Sequence, residues 1–455
     1  MNNSNRHPAS FRDPSGFVYK KDEIVYRFVS TTYQNDFELL QSSGLYRELV
    51  QKQLIVPFET VAENHFNSPD WFVTLQPQQV PFLSYANEWC FEQLKDAALT
   101  TLSVCRKALN KGMILKDATH FNIQFINSKA VHIDSLSFEK YKEGESWVAY
   151  RQFCECFLNP LLLASYCKLE VHKLMQSYID GVPASIASSL LPFSTKLNTA
   201  ILLHVHLQAK MAKGKASAQK QSKKISSKDV LHILQHLESC IQKLKLKESR
   251  STWNNYYDET IISSNYLEAK KKLMKQWLDE ISYQTIADFG ANEGEFSKLC
   301  RQDAFVVATD FDSNCIEKLY KSTKQNKITN ILPLVIDLTQ PTPATGWNNA
   351  EQSSFLNRSK FDLALALALV HHLAIGKNIP MPMIAELLSN SCKTLVIEFV
   401  PKDDPKAQEM LSARTDIFTN YNKENFEQAF GQYFSILKQE VIPHSNRILY
   451  LLQKI

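Results

Sequence analysis

The sequence predicts an α/β protein: a mostly parallel sheet with helices between its strands fills the second half, and an α+β domain precedes it. Five short apolar runs, TIADF (285–289), AFVVATD (304–310), ILPLVID (331–337), FDLALALALV (361–370) and TLVIEFV (394–400), occur in order, with amphipathic or polar stretches between several of them. That alternation gives a parallel sheet covered on both faces. In the fourth run Leu363, Leu365, Leu367 and Leu369 alternate with Ala364, Ala366 and Ala368, so neither face is polar and the strand belongs in the middle of the sheet. The chain closes with YFSILKQEVIP and RILYLLQKI, joined by His444, Ser445 and Asn446, which predict an antiparallel hairpin at the sheet edge.

With 455 residues, 44% hydrophobic and 22% charged, the chain has material for two or three domains with real cores. No apolar run reaches the roughly 18 residues a membrane span needs. The polar start MNNSNRHPASFRDPSG lacks the cationic and apolar regions of a signal peptide, so the expected compartment is the cytoplasm, with no membrane partner. Nine scattered cysteines include no matched ligand pairs, so reduced thiols packed as small hydrophobes are expected, and no metal. A net charge of +4 does not indicate a nucleic-acid surface.

Near the amino terminus GFVYKKDEIVYRFV predicts a hairpin, and Phe11, Phe17 and Tyr19 are expected in the first core. Residues 91 to 111 put Phe91, Leu94, Ala98, Leu102, Cys105 and Leu109 on one helical stripe. The helix leads into MILKDATHFNIQFINSKAVHIDSLSFE, where Asp117 and Asn122 are five apart and Asp134 follows twelve later. This layout resembles the protein-kinase catalytic loop D-x-x-x-x-N followed by a metal-binding Asp. The resemblance implies a hydroxyl-positioning carboxylate, Asp117, and two oxygen ligands, Asn122 and Asp134, for magnesium on ATP. No glycine-rich loop is present, however, and Arg27 stands where the phosphate-binding lysine is sought. Three readings stay open: a working kinase that uses ATP and magnesium, a degenerate kinase-like domain that recognises an acceptor, and acids that only cap turns.

From Lys210 to Lys228 lysines fall among Ala, Ser and Gln with no acid until Asp229, which reads as a solvated linker or exposed helix end, with an anionic surface as the alternative partner. The expected organisation is an N-terminal domain at 1–205, a lysine-rich linker at 206–229, and a helical lead-in with the α/β domain at 230–455. WNNYY at 253–257 is expected to wedge the leading helices against the sheet, or to stack on an acceptor.

The stretch TIADFGANEGEFSKL is expected to run from strand through a glycine turn into a helix. In open α/β sheets ligands bind beyond the carboxyl ends of the strands, where a tight turn and a helix start can approach them. Gly290 and Gly294 sit at that turn, Asp288 at the strand's end, Asp310 at the end of the second strand and Asp337 at the end of the third. Glu293 or Glu295 would complement the helix dipole. Asn292 stands where dinucleotide fingerprints carry glycine, which argues against a nicotinamide dehydrogenase; a Rossmann-like scaffold without cofactor is the other competitor.

The glycine turn, the ordered acids and the terminal hairpin together resemble the class I S-adenosylmethionine-dependent methyltransferases, whose D-x-G-x-x-x-G pattern is met by Asp288, Gly290 and Gly294. The resemblance implies a Rossmann-like seven-stranded sheet, S-adenosylmethionine as cofactor, Asp310 on the ribose, Asp337 near adenine, and Asp288 with Gly290 facing the methionine portion. Phe289, Ala291, Asn292, Gly294, Phe311 and Leu338 complete the implied cofactor site. FRDPSGFVY, LKDATHFNIQF, IDSLSFEKY, WVAYRQFCECFLNPL and EFVPKDDP together resemble bacterial two-part methyltransferases related to a rhizobial nodulation protein; host-specific nodulation does not follow from that likeness. His371 and His372, after the fourth strand, and Glu398, at the end of the fifth, are the candidate catalytic groups. The expected function is methyl transfer to an unidentified small molecule, glycan or protein. The alternatives are a cofactor-binding adaptor without turnover and a bifunctional kinase-like methyltransferase.

Overall fold

The computed structural model describes residues 6–213, 225–246, 264–412 and 415–455. Two compact units emerge: Met1–Glu248 with Ala344–Ser353, and Ser249–Pro343 with Ser354–Ile455.

In the first unit β1 (Gly16–Lys21) and β2 (Ile24–Ser30) form the expected hairpin. Asp22 and Glu23 both take positive φ, 49° and 64°, as in the two-residue turns whose twist matches that of the flanking strands. With β3 (Phe58–Val61) and β4 (Trp71–Pro77) they make a four-stranded sheet ordered β1-β2-β4-β3. Val29, Tyr33, Phe37, Leu75 and Leu136 cluster beneath it. The six-residue stripe expected on the helix Phe91–Asn110 is buried throughout. That helix feeds two small antiparallel pairs, β5 (Met113–Leu115) with β8 (Phe138–Lys140) and β6 (Ile123–Ile126) with β7 (Lys129–His132). Phe17 and Tyr19 are core residues, but Phe11 is 56% exposed under the Arg12 guanidinium.

One boundary needs correction. The helix Ser227–Lys243, expected as a lead-in to the second domain, belongs to the first unit. Its inner stripe, Val230, Leu234, Leu237 and Ile241, is buried, and the helix packs on Phe91–Asn110. Arg106 pairs with Glu238 at 2.9 Å, and Lys95 donates to the Leu244 carbonyl at 2.8 Å. Of the expected linker, Leu207–Lys213 is helical, while 214–224 lie outside the described residues, as does WNNYY.

The second unit is a seven-stranded sheet: β9 (Thr285–Phe289), β10 (Phe305–Asp310), β11 (Ile331–Val335), β12 (Phe361–Ala366), β13 (Cys392–Phe399), β14 (Phe434–Val441) and β15 (Ile448–Lys454). Their order is β11-β10-β9-β12-β13-β15-β14. The first five run parallel, and β15 is antiparallel to both its neighbours. The terminal hairpin therefore lies at the edge, and the doubly apolar β12 lies at the centre. It ends at Ala366 rather than at Val370, because Ala368 turns into the left-handed region at φ 50°. Trp277 and Leu278, from the helix Ser264–Glu280, pack with Ile286, Val306, Leu363, Leu365 and Val396 in the core of this unit. From β9 the chain builds outward through β10 and β11, then returns to place β12 on the other side of β9. The crevice beyond the carboxyl ends of β9 and β12 is thus the topological switch point of the sheet.

Candidate functional site

A pocket opens at that switch point. After β9, Gly290, Asn292 and Gly294 take φ of 76°, 51° and 78°. Left-handed residues at alternate positions cannot continue a helix, so the expected helix is replaced by turns and one 3₁₀ turn at Ser297–Leu299. Glu293 and Glu295 therefore complement no helix dipole. Both Gly290 and Ala291 donate their N–H to the Thr309 carbonyl, at 2.8 and 2.9 Å, which ties the turn to β10. The two glycines differ in purpose. Gly290 lines the pocket, whereas a Cβ on Gly294 would come within 2.5 Å of Leu319 on the helix Ser313–Gln325. Gly294 serves packing.

Three carboxylates converge on the pocket: Asp288 from β9, Asp310 from β10 and Asp337 just past β11. The Asp310 oxygens accept from the Asn292 N–H and the Asp312 N–H, each at 2.9 Å. Burial pushes the Asp310 carboxyl up to about 6, with these two N–H groups opposing the shift. Asp288 accepts from the Ser297 hydroxyl at 2.5 Å and is likewise pushed up to about 6 by burial. Asp337 accepts from the Thr339 N–H and hydroxyl at 2.8 and 2.6 Å. Ala291, Asn292, Phe311 and Leu338 also line the pocket; Phe311 is 53% exposed. Phe289 does not, because it is fully buried in the sheet core.

The candidate catalytic groups separate. His372 lines the pocket, and burial, with Arg447 and Lys406 nearby, lowers it to about 4, so the ring is neutral at physiological pH. His371 is a correction: it lies behind His372, ring centroids 4.0 Å apart, fully buried, with neither ring nitrogen bonded among the described residues. Glu398 is a second correction, being fully buried and bonded to Lys270. It also accepts from the Tyr266 hydroxyl at 2.5 Å and from Arg447 at 3.3 Å. Burial alone would raise its carboxyl, but the Lys270 ammonium and Arg447 guanidinium outweigh this and hold it down to about 2. With both oxygens bonded and no place in the pocket lining, Glu398 is not positioned to meet a nucleophile. Arg447 continues the network through a two-pronged contact with Asp404, at 2.7 and 3.0 Å.

Tyr266, Lys270 and Arg447, none of them anticipated, form one wall of the pocket. Lys270 is hidden in the sequence among Lys271 and Lys272. Its signal is the spacing Tyr266, Lys270, Met274, Trp277, a buried stripe of one helix.

In the first unit the kinase-like acids do come together. Asp134 is bonded to Arg27 and accepts from the Ser137 hydroxyl at 2.5 Å and the Leu136 N–H at 3.0 Å. Asn122 donates to the Ser137 hydroxyl at 3.2 Å. Burial works against ionisation of Asp134, and Arg27 and Ser137 more than offset it. The Asp117 carboxyl is raised by burial and by the charge on Asp134. Among the described residues no group of three or more His, Cys, Asp or Glu side chains is placed to hold a metal ion.

A seven-stranded sheet of this order, ending in an antiparallel hairpin, with acids after the first three strands around a glycine turn, defines the class I methyltransferase type. The chain belongs to the family of nodulation protein NoeA of Rhizobium meliloti (strain 1021), with which it is 30% identical over 460 residues, 99% of this chain and 96% of that protein. No family model matches the sequence. Similar solved structures include the N-methyltransferase NodS from Bradyrhizobium japonicum WM9 in complex with S-adenosyl-L-homocysteine, at 10% identity and a TM-score of 0.33, covering 45% of this chain and 99% of that one. The Synechocystis PCC 6803 magnesium protoporphyrin IX methyltransferase with bound S-adenosylmethionine is 14% identical at a TM-score of 0.30, over 46% and 87% of the two chains. The bifunctional kinase-methyltransferase WbdD is 15% identical at 0.31, over 44% and 41%. Scores this low leave the assignment resting on the strand order, the pocket and the NoeA kinship.

Proposed function

We propose that the chain transfers a methyl group from S-adenosylmethionine to a small molecule, glycan or protein acceptor. The observation behind this is the convergence of Asp288, Asp310 and Asp337 with Gly290 in one pocket at the switch point. Two buried carboxylates, each pushed up to about 6, suit a ligand that brings hydroxyls, an amine and a fixed positive charge, because each of these favours the ionised carboxylate. Asp310 would accept the ribose hydroxyls, Asp337 would stand near adenine, and Asp288 with the Gly290 backbone would face the amino-acid end. Phe311 and Leu338 would supply apolar walls.

When bound, the cofactor supplies an electrophilic methyl on a cationic sulfur. The chain supplies alignment of donor and acceptor, the larger part of catalysis for such a displacement. His372, neutral and on the pocket wall, is the group placed to take the acceptor's proton. His372→Ala is expected to lower turnover about 10²-fold or more, at the low end of general-base effects, with cofactor affinity and melting temperature unchanged. The check is release of S-adenosylhomocysteine against pools of glycans, small molecules and peptides. Equal turnover by the variant would remove His372 from the chemistry. Cofactor binding without turnover on any pool would favour the adaptor.

The first unit is assigned to acceptor recognition. Arg27 neutralises Asp134, the carboxylate that would ligate magnesium in a kinase, which favours a degenerate kinase-like domain over a working one.

A further inference from the structure

We infer that Lys270 reads the carboxylate of the methyl donor, so that the pocket selects intact S-adenosylmethionine over donors that lack this group. The inference rests on the methyltransferase reading and adds to it a specificity-determining residue.

Lys270 reaches the pocket from the helix Ser264–Glu280. Its side chain is only 4% exposed, and lysine is almost never buried so deeply without partners. An ammonium carries three N–H donors and no acceptor. One donor is bonded to Glu398, and the ammonium lies 4.6 Å from the centroid of the Phe296 ring. The other two donors have no hydrogen-bond acceptor among the described residues. A buried donor left without an acceptor is costly, so the site calls for a ligand that brings one.

The other cations of the lining do not offer this capacity. Arg447 commits Nε and Nη2 to Asp404, and Nη1 to the Tyr266 hydroxyl and Glu398. Lys377 is exposed, where water screens its charge. Glu398 accepts from Tyr266 and Arg447 on one oxygen and from Lys270 on the other. It acts as a positioning residue that fixes the ammonium at the pocket wall.

The opposite charge in the same pocket identifies the ligand group. Asp288 and Lys270 both line it, and each favours the charged form of the other. No bond joins them among the described residues: Asp288 accepts from Ser297, while Lys270 donates to Glu398. An acid and a base close enough to interact, but each held by another partner, match a ligand that carries an ammonium and a carboxylate on one carbon. The ammonium would meet Asp288 and the carboxylate Lys270, each as a charge-assisted hydrogen bond. A carboxylate on the acceptor is the other source of the same chemistry.

The test is calorimetric titration of the full chain, without acceptor, using S-adenosylmethionine and decarboxylated S-adenosylmethionine, which keeps the sulfonium, amine, ribose and adenine. The wild type is expected to bind the decarboxylated donor roughly 10- to 150-fold more weakly, the range for one hydrogen bond to a charged group. Lys270→Met should bind the two donors within about threefold of each other, whereas Lys270→Arg, which keeps the cation, should retain much of the preference. Comparing two ligands on one variant cancels a general loss of stability from the broken Glu398 contact, and the wild-type ratio stands even where Lys270→Met does not fold. Equal binding of both donors by the wild type overturns the inference and leaves the carboxylate to the acceptor. A full preference surviving in Lys270→Met overturns it too. Both outcomes leave the methyltransferase reading intact; that reading falls, and this inference with it, only where neither donor binds the folded chain.

Discussion

Glu398→Gln is expected to destabilise the fold by about 3–5 kcal/mol, the range for breaking a buried ion pair by removing one partner. Lys270 and Arg447 are both nearly inaccessible, with side chains 4% exposed, so the loss removes the carboxylate that both cations share, leaving Asp404 beside Arg447 and the field of Asp288 at Lys270. Urea unfolding of the purified variant measures the cost. The pH dependence carries a second signature. A carboxyl held down to about 2 in the folded chain contributes stability that is fully present above its unfolded value, roughly 4.3, and is lost as pH falls toward 2. The wild type should therefore lose stability across that window more steeply than the variant. A cost below about 1 kcal/mol, the scale of exposed ion pairs, would show that the network is solvated.

Asp310→Ala is expected to weaken S-adenosylmethionine binding by about 1–3 kcal/mol, the penalty for leaving buried hydrogen-bonding groups unpaired, or roughly 5- to 150-fold. The substitution also strands the Asn292 and Asp312 N–H groups, so the melting temperature must be measured alongside. Because the Asp310 carboxyl is pushed up to about 6, it is ionised at pH 7.5 and largely protonated at pH 5. Wild-type affinity should accordingly fall as pH drops through about 6, and this fall should be shallower in the variant. Unchanged affinity in a folded variant would remove Asp310 from the site.

The strands themselves, the central place of β12, the edge hairpin and the pocket acids are legible because apolar runs and acids at strand ends are local signals. The turn after β9 looks like a helix start in the sequence, where Asn292 shows only as the absence of a glycine; its tolerance of the left-handed region, taken here at φ 51°, is what helps break the helix. His371 and His372 are adjacent in sequence, and only the π-helical turn from His372 to Gly376 decides which one faces the pocket. Glu398 looked like a base because its partners, Lys270 and Arg447, lie 128 and 49 residues away. The sequence does not reveal which unit the helix Ser227–Lys243 joins, because an amphipathic stripe announces a buried face without naming what it is buried against.

Calorimetric titration of S-adenosylmethionine into the full-length chain tests the central assignment most directly. Saturable binding near one site per chain, with S-adenosylhomocysteine competing for it, is the expected result. A folded, monodisperse chain that gives no binding heat and no shift in melting temperature with either ligand would contradict the methyltransferase assignment.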